Sequence, residues 1–201
     1  MVRKAVIDIG TNTTRLLIAD LTQKKTFTNV FSRQIITRLG EGLFNHKHLN
    51  EVAVQRTLDA LTIYSRDIKK YNCSQVRIVA TSAAREAENR EVFVQKVKNK
   101  TGMHLEVISQ EEEAHLATMG VFKGLKEKPE KAVIFDIGGG STEFILADKT
   151  AHPLKIIGLP IGIVHLTEKY IHSDPANQKE LQSLRIEMQK ELSKVKENIG
   201  H

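Results

Sequence analysis

A short pattern occurs twice in this chain of 201 residues. Residues 6–20 read VIDIGTNTTRLLIAD and residues 134–148 read IFDIGGGSTEFILAD. Superposed, Asp8/Asp136, Ile9/Ile137, Gly10/Gly138, Thr14/Thr142, Ala19/Ala147 and Asp20/Asp148 coincide, and several other positions exchange apolar for apolar. Each copy opens on a β-branched or aromatic run ending in Gly, crosses a small polar turn, and resumes in a second apolar run, Leu16–Ala19 or Phe144–Ala147. That is a strand, a tight turn and a return strand, made twice.

Gly10, Thr11, Asn12 and Thr13 form the first turn; Gly138, Gly139, Gly140, Ser141 and Thr142 form the second. Such residues turn tightly and present backbone N–H groups that gather anions, with hydroxyls as further donors. Asp8 and Asp136 close the leading strands, where a carboxylate suits a hard divalent cation. Either turn alone could be an ordinary hairpin using Gly, Asn and Ser for geometry. Two matched copies, each with a strand-end Asp, favour a phosphate-binding reading. The pattern is neither a Walker loop nor a GxGxxG fingerprint.

Between the copies, Glu51–Tyr71 places Val54, Leu58, Leu61, Tyr64 and Ile68 at helical spacing. Val76–Ala80 reads as a buried strand, Asn89–Lys100 as a helix stopped by Gly102, and Leu105–Ile108 as another strand. Ser109 and Glu112 have capping-box spacing ahead of a helix running to about Phe122. Strands alternating with helices predict an α/β domain on a mixed sheet over 1–124, a polar connector at Gly124–Lys131, and a second domain over 125–201. Residues 158–162 read as a loop. Asn177–Ile199 reads as a long helix with Leu181, Leu184, Met188, Leu192, Val195 and Ile199 on one face. That stripe needs a cover: the remainder of a domain, a second copy in a homodimer, or another protein.

Hydrophobic content of 40% and charged content of 27% fit a soluble globular protein. The net charge of +6 suits a polyanionic partner, whether nucleic acid, polyphosphate or anionic lipid, or is simply a basic surface. With no Trp and only 3 Tyr, stacking on bases is poorly supported, so no specific nucleic acid is expected. Cys73 is the single cysteine, which excludes an internal disulfide and points to a reducing compartment. No apolar run is long enough to span a membrane, so a cytoplasmic location is expected. The 8 histidines show no ligand spacing, and no zinc site is expected.

In order along the chain, AVIDIGTNTTRLLIADL, TRLGEGL, VATSAAREA, ISQEEEAHLATMGV and FDIGGGSTEFIL resemble the motifs of the exopolyphosphatase/guanosine pentaphosphate phosphohydrolase family. The resemblance runs from Met1 to about Ile163. It implies an actin-like (ribonuclease H-like) fold of duplicated α/β domains, with mixed sheets flanked by helices and the active site in a cleft between them. The second domain would be incomplete, because the family continues well past this length. It also implies removal of the terminal phosphate from polyphosphate or guanosine pentaphosphate, with Mg²⁺ or another divalent cation, and hence a link to the stringent response. By the same mapping Glu113 is the catalytic base, Asp136 and Glu143 lie near the metal and the attacking water, and Asp8 is the matching acid.

Arg15 and Glu143 occupy equivalent places in the two copies. A guanidinium beside the first turn suits phosphate oxygens, and a carboxylate beside the second suits a metal or a water. A plain ion pair between them is the alternative. Arg85 in SAAREA is a second candidate phosphate ligand and Arg38 a weaker one. Glu113 also has a plainer explanation, as acidic enrichment at a helix N-terminus. Two other functions stay open: a catalytically weak sensor of guanosine tetra- or pentaphosphate, and an actin-like ATPase or kinase.

Overall fold

The computed structural model describes residues 1–22 and 26–199, without the side chains of residues 197 and 199. It divides into two units, Met1–Ile108 and Ser109–His201.

The first unit runs β1 (Val2–Ile9), β2 (Thr13–Leu21), β3 (Phe27–Ile36), α1 (Leu43–His46), α2 (Glu51–Lys70), β4 (Gln75–Ala80), α3 (Ser82–Glu86), α4 (Arg90–Thr101) and β5 (Leu105–Val107). Its sheet has the order β3-β2-β1-β4-β5. The first three strands are antiparallel, while β4 lies parallel to β1 and β5 parallel to β4. Alternation sends Ala5, Ile7, Ile9, Leu16 and Ile18 to one face, where they pack with Val54, Leu58, Leu61 and Tyr64 of α2. Asn50 caps α2 by accepting from the Ala53 N–H at 2.7 Å. Gly102 ends α4 in the left-handed conformation that glycine adopts without strain.

The second unit runs α5 (Gln110–Gly124), β6 (Lys131–Ile137), β7 (Thr142–Asp148), β8 (Pro153–Leu159), α6 (Ile163–Tyr170) and α7 (Gln178–Ile199). The strands form an antiparallel sheet, β6-β7-β8. On one face Ala114 and Phe122 of α5 meet Ile134, Ile145 and Ala147. On the other, Phe144, Leu159, Ile161 and Leu166 are packed by Leu184, Met188 and Val195 of α7.

The repeat survives in three dimensions at a fixed offset of 128 residues. Asp8 pairs with Arg15 and Ile9 with Thr14; Asp136 pairs with Glu143 and Ile137 with Thr142. The ladder to the third strand is irregular between Ile18 and Ala19 in one unit and between Leu146 and Ala147 in the other. A bulge kept at equivalent positions is a designed bend. The repeated unit is therefore three strands long.

Four sequence expectations change. The boundary moves from residue 124 to residue 108, because the apolar stripe of α5 packs on the second sheet. The strands β3 and β8 and the helix α6 were not expected. Val76–Ala80 is buried only over its second half, with Val76 exposed. The α7 stripe finds part of its cover within its own unit through Leu184, Met188 and Val195, whereas Leu181 and Leu192 stay exposed. The Ile199 side chain and residues 200–201 lie outside the described residues.

Candidate active site

The first turn is closed by the Gly10 N–H donating to the Thr13 carbonyl at 3.0 Å. Two more of its carbonyls are tied from behind. Thr37 and Arg38 N–H both donate to the Asn12 carbonyl, and Gly40 N–H donates to the Thr11 carbonyl. Thr37 is fully buried, and its hydroxyl shares a 2.9 Å bond with that of Thr14. Arg56 Nε holds the Thr37 carbonyl at 2.9 Å, and its guanidinium pairs with Glu41. Gly40 has no room for a side chain, since a Cβ there would overlap the buried Thr11 methyl. The TRLGEGL segment is thus a buttress for the turn, and Arg38 sits in it with a strained φ of 48° and an exposed side chain.

The parallel strands β1, β4 and β5 end at one edge of the sheet, the edge where open α/β sheets bind ligands. There Thr81 N–H donates to the Ile9 carbonyl and Ile108 N–H to the Ala80 carbonyl. Arg85 is half-buried and reaches the Ile108 carbonyl with Nη1 at 3.2 Å. Arg15 is mostly exposed on the neighbouring strand, 3.8 Å from Asp8 and 3.4 Å from Gln34. Asp8, Thr11, Asn12, Arg15 and Arg85 therefore belong to one edge of the first unit.

The second turn is built the same way. Gly138 N–H donates to the Ser141 carbonyl at 2.9 Å, the equivalent of the Gly10–Thr13 bond. The segment after the third strand again folds back. Gly162 N–H donates to Gly140, Ile163 to Gly138, and Val164 and His165 to Gly139, all at carbonyl oxygens. The first N–H groups of α6, which have no partner within the helix, are satisfied in this way. A Cβ on Gly162 would overlap the backbone of Gly139 and Gly140, so only glycine allows this approach. In both units the equivalent carbonyls Thr11/Gly139 and Asn12/Gly140 are engaged by protein, so an anion at the turn would meet its N–H side.

The acids gather at this end of the second unit. Asp136 is half-buried on β6 and pairs in register with Glu143 on β7, which is only 2% exposed. Ser141 and Thr142 are buried, and the Thr142 hydroxyl donates to the Ile161 carbonyl at 3.0 Å. Ser109 caps α5 by accepting from Glu112 N–H at 3.2 Å. Ala114, Thr118 and Phe122 are buried one turn apart, which turns this row of α5 to the sheet. Gln110 begins the same row, and its Nε2 donates to Glu143 Oε1 at 3.0 Å. Glu113, half-buried on the adjacent row, lies one turn along the helix from that contact.

The sequence profile of the Ppx/GppA phosphatase family matches residues 17–201. The chain belongs to the Ppx/GppA phosphatase family. It is 37% identical to exopolyphosphatase 2 of Mycobacterium tuberculosis over 92% of this chain and 60% of that protein. It is 39% identical to a bifunctional 3-dehydroquinate synthase/phosphatase of Fusobacterium nucleatum, over 83% of this chain but 26% of that one. The crystal structure of the Aquifex aeolicus Ppx/GppA family member superposes with a TM-score of 0.76 at 36% identity, covering 97% of this chain and 63% of that chain. This chain thus spans less than two thirds of the length of these Ppx/GppA relatives. Its fold is the actin-like mixed α/β fold of the family.

Sequence reasoning found both turns, the strand-end acids and the capped helix of this Ppx/GppA chain. It missed the parts that hold them: Thr37 and Gly40 behind the first turn, Gly162 behind the second, and Gln110 with Gly158 beside Glu143. The glycines of TRLGEGL and GLPIG were the available signal, since the first segment follows, and the second closes, a third strand that was not recognised. Among the described residues no three His, Cys, Asp or Glu side chains form a ready-made metal cluster. No helix among them is long and apolar enough to cross a membrane.

Proposed function

We propose that this protein hydrolyses the terminal phosphoanhydride of inorganic polyphosphate or guanosine pentaphosphate with a divalent cation. The observation that carries the reading is the duplicated turn, closed by the same bond and tied back at two equivalent carbonyls, Thr11/Gly139 and Asn12/Gly140, in both units. Such a turn offers N–H groups to a phosphate and costs no rearrangement when the anion arrives.

Phosphoryl transfer asks for positioning and charge neutralisation more than covalent chemistry. Glu113 orients the attacking water and accepts its proton as a weak base. The turns hold phosphate oxygens, with Arg15 and Arg85 adding guanidinium donors. Asp136 and Glu143, and Asp8 in the first unit, offer carboxylate oxygens of the kind Mg²⁺ prefers. Mg²⁺ commonly binds through one or two carboxylates together with substrate phosphates, so a preformed three-acid cluster is not required. Bound Mg²⁺ would neutralise charge on the phosphate oxygens. A basic chain with a single cysteine fits a polyanion substrate in a reducing cytoplasm. Cleavage of guanosine pentaphosphate would connect it to the stringent response.

The test is phosphate release from polyphosphate, guanosine pentaphosphate and ATP in parallel, with and without Mg²⁺. Metal-dependent release from either of the first two, with little from ATP, is expected. Release from ATP alone would assign an ATPase. Tight binding of guanosine pentaphosphate without turnover would assign a sensor.

A further inference from the structure

We propose that Gln110 is a positioning residue for Glu143 and that Gly158 provides its seat. The inference rests on the hydrolase reading of the same site. Glu143 is 2% exposed, and the one hydrogen bond to its carboxylate among the described residues comes from Gln110 Nε2 to Oε1 at 3.0 Å. A buried carboxylate is costly unless donors face it, and its orientation is set by whichever donor does. Of the four residues Gln110, Glu111, Glu112 and Glu113 that open α5, only Gln110 carries side-chain N–H donors at neutral pH. A glutamate in its place would put a second negative charge on Glu143.

Gly158 explains how the amide reaches. It pairs with Glu143 on the adjacent strand β8, and a Cβ there would overlap the whole Gln110 carboxamide. The missing side chain is the space the carboxamide fills. Ser109 fixes the start of α5, and the buried row Ala114, Thr118, Phe122 fixes its rotation, so Gln110 is aimed from a rigid base. Gln110 engages Oε1 and directs Oε2 to a cation or a water. An amide suits this role, because it donates without taking part in proton transfer.

The experiment uses the 201-residue chain and its variants Gln110→Ala, Gly158→Ala, the double variant and Gln110→Glu, each checked for folding by thermal melt. Polyphosphate hydrolysis gives kcat and KM. Each single variant should lower kcat about ten- to a hundredfold, the usual effect of removing an outer partner, with KM unchanged. The double variant should be no worse than the poorer single, because both remove one interaction. Gln110→Glu should lower kcat at least as far as Gln110→Ala, because it sets a second carboxylate against Glu143. Unchanged kcat in Gln110→Ala, or additive losses in the double variant, would overturn the assignment. The side-chain amide resonances of Gln110 give a readout independent of turnover. They should be shifted and slow to exchange in the parent chain and should take exposed-glutamine values in Gly158→Ala. If the parent chain releases no phosphate, the hydrolase reading fails and these resonances still decide the positioning role: exposed-type values in the parent would end it.

Discussion

The Tyr64 hydroxyl donates to the backbone carbonyl of Thr14 over 2.7 Å, inside a core where Tyr64 is fully buried. Thr14 follows the first turn directly, so the long helix α2 grips the strand that leaves the candidate phosphate site. Thr14 in turn shares its hydroxyl bond with Thr37 of the buttress. Stability and site geometry meet at this tyrosine.

Burial pushes the Tyr64 hydroxyl up to about 12, against a smaller opposing pull from Arg33. The unfolded value is about 10, so the neutral hydroxyl is favoured by folding. Its contribution is full below pH of about 10 and is lost as pH rises from there toward 12. Tyr64→Phe should cost about 1 kcal/mol at neutral pH through the lost hydrogen bond. It should also flatten the alkaline fall in stability, as urea melts across that range would show.

The glycines predict opposite outcomes at three positions. Gly40→Ala and Gly162→Ala force a methyl group into Thr11 and into the second turn respectively. Each should destabilise by about 1–3 kcal/mol, as overpacking does, and weaken phosphate binding. Gly120, inside α5, has nothing within 4 Å of an added Cβ. Gly120→Ala should therefore stabilise by about 0.5–1 kcal/mol. Thermal melts of the three variants check the pattern.

Much of this was legible in the sequence because the repeat and the periodic helices are local signals. Val54, Leu58, Leu61, Tyr64 and Ile68 of α2 gave a helix, and all five are buried. Gly102 gave its end to α4, and Ser109 gave its start to α5. The strand β3 was not legible because it is a sheet edge, half polar and largely exposed, and carries little alternation. The strand β8 begins at Pro153 and contains Gly158, residues that read as a turn yet are tolerated at an edge. The helix α6 is 8 residues long, too short for periodicity to declare itself. The placement of α5 was missed for a different reason. A helical stripe says that a helix packs on something, not which sheet lies beneath it.

The start of α7 makes an acid-sensitive clasp. Glu180 accepts from His172 N–H at 2.9 Å, from the Ser173 hydroxyl at 2.6 Å and from Asn177 N–H at 2.9 Å, while Asn177 Oδ1 accepts from Glu180 N–H at 3.1 Å. This reciprocal pair is a capping box. The Ser173 hydroxyl, then the two backbone donors, hold the Glu180 carboxyl down to about 2. A depressed folded value means stability present above the ordinary glutamate range and lost as pH falls from about 4.5 toward 2. Glu180→Gln should remove that acid dependence and let the first turn of α7 fray, read by amide exchange at residues 178–182.

Glu113 is proposed to act on the water that attacks the terminal phosphate, and its removal tests the hydrolase most directly. Glu113→Gln keeps the size and the helix while removing the base. Phosphate release and polyphosphate binding should be measured on the same preparation in Mg²⁺. Release should fall by about 10²–10⁴-fold, with polyphosphate binding kept. Cleavage at the parent rate would contradict this role for Glu113.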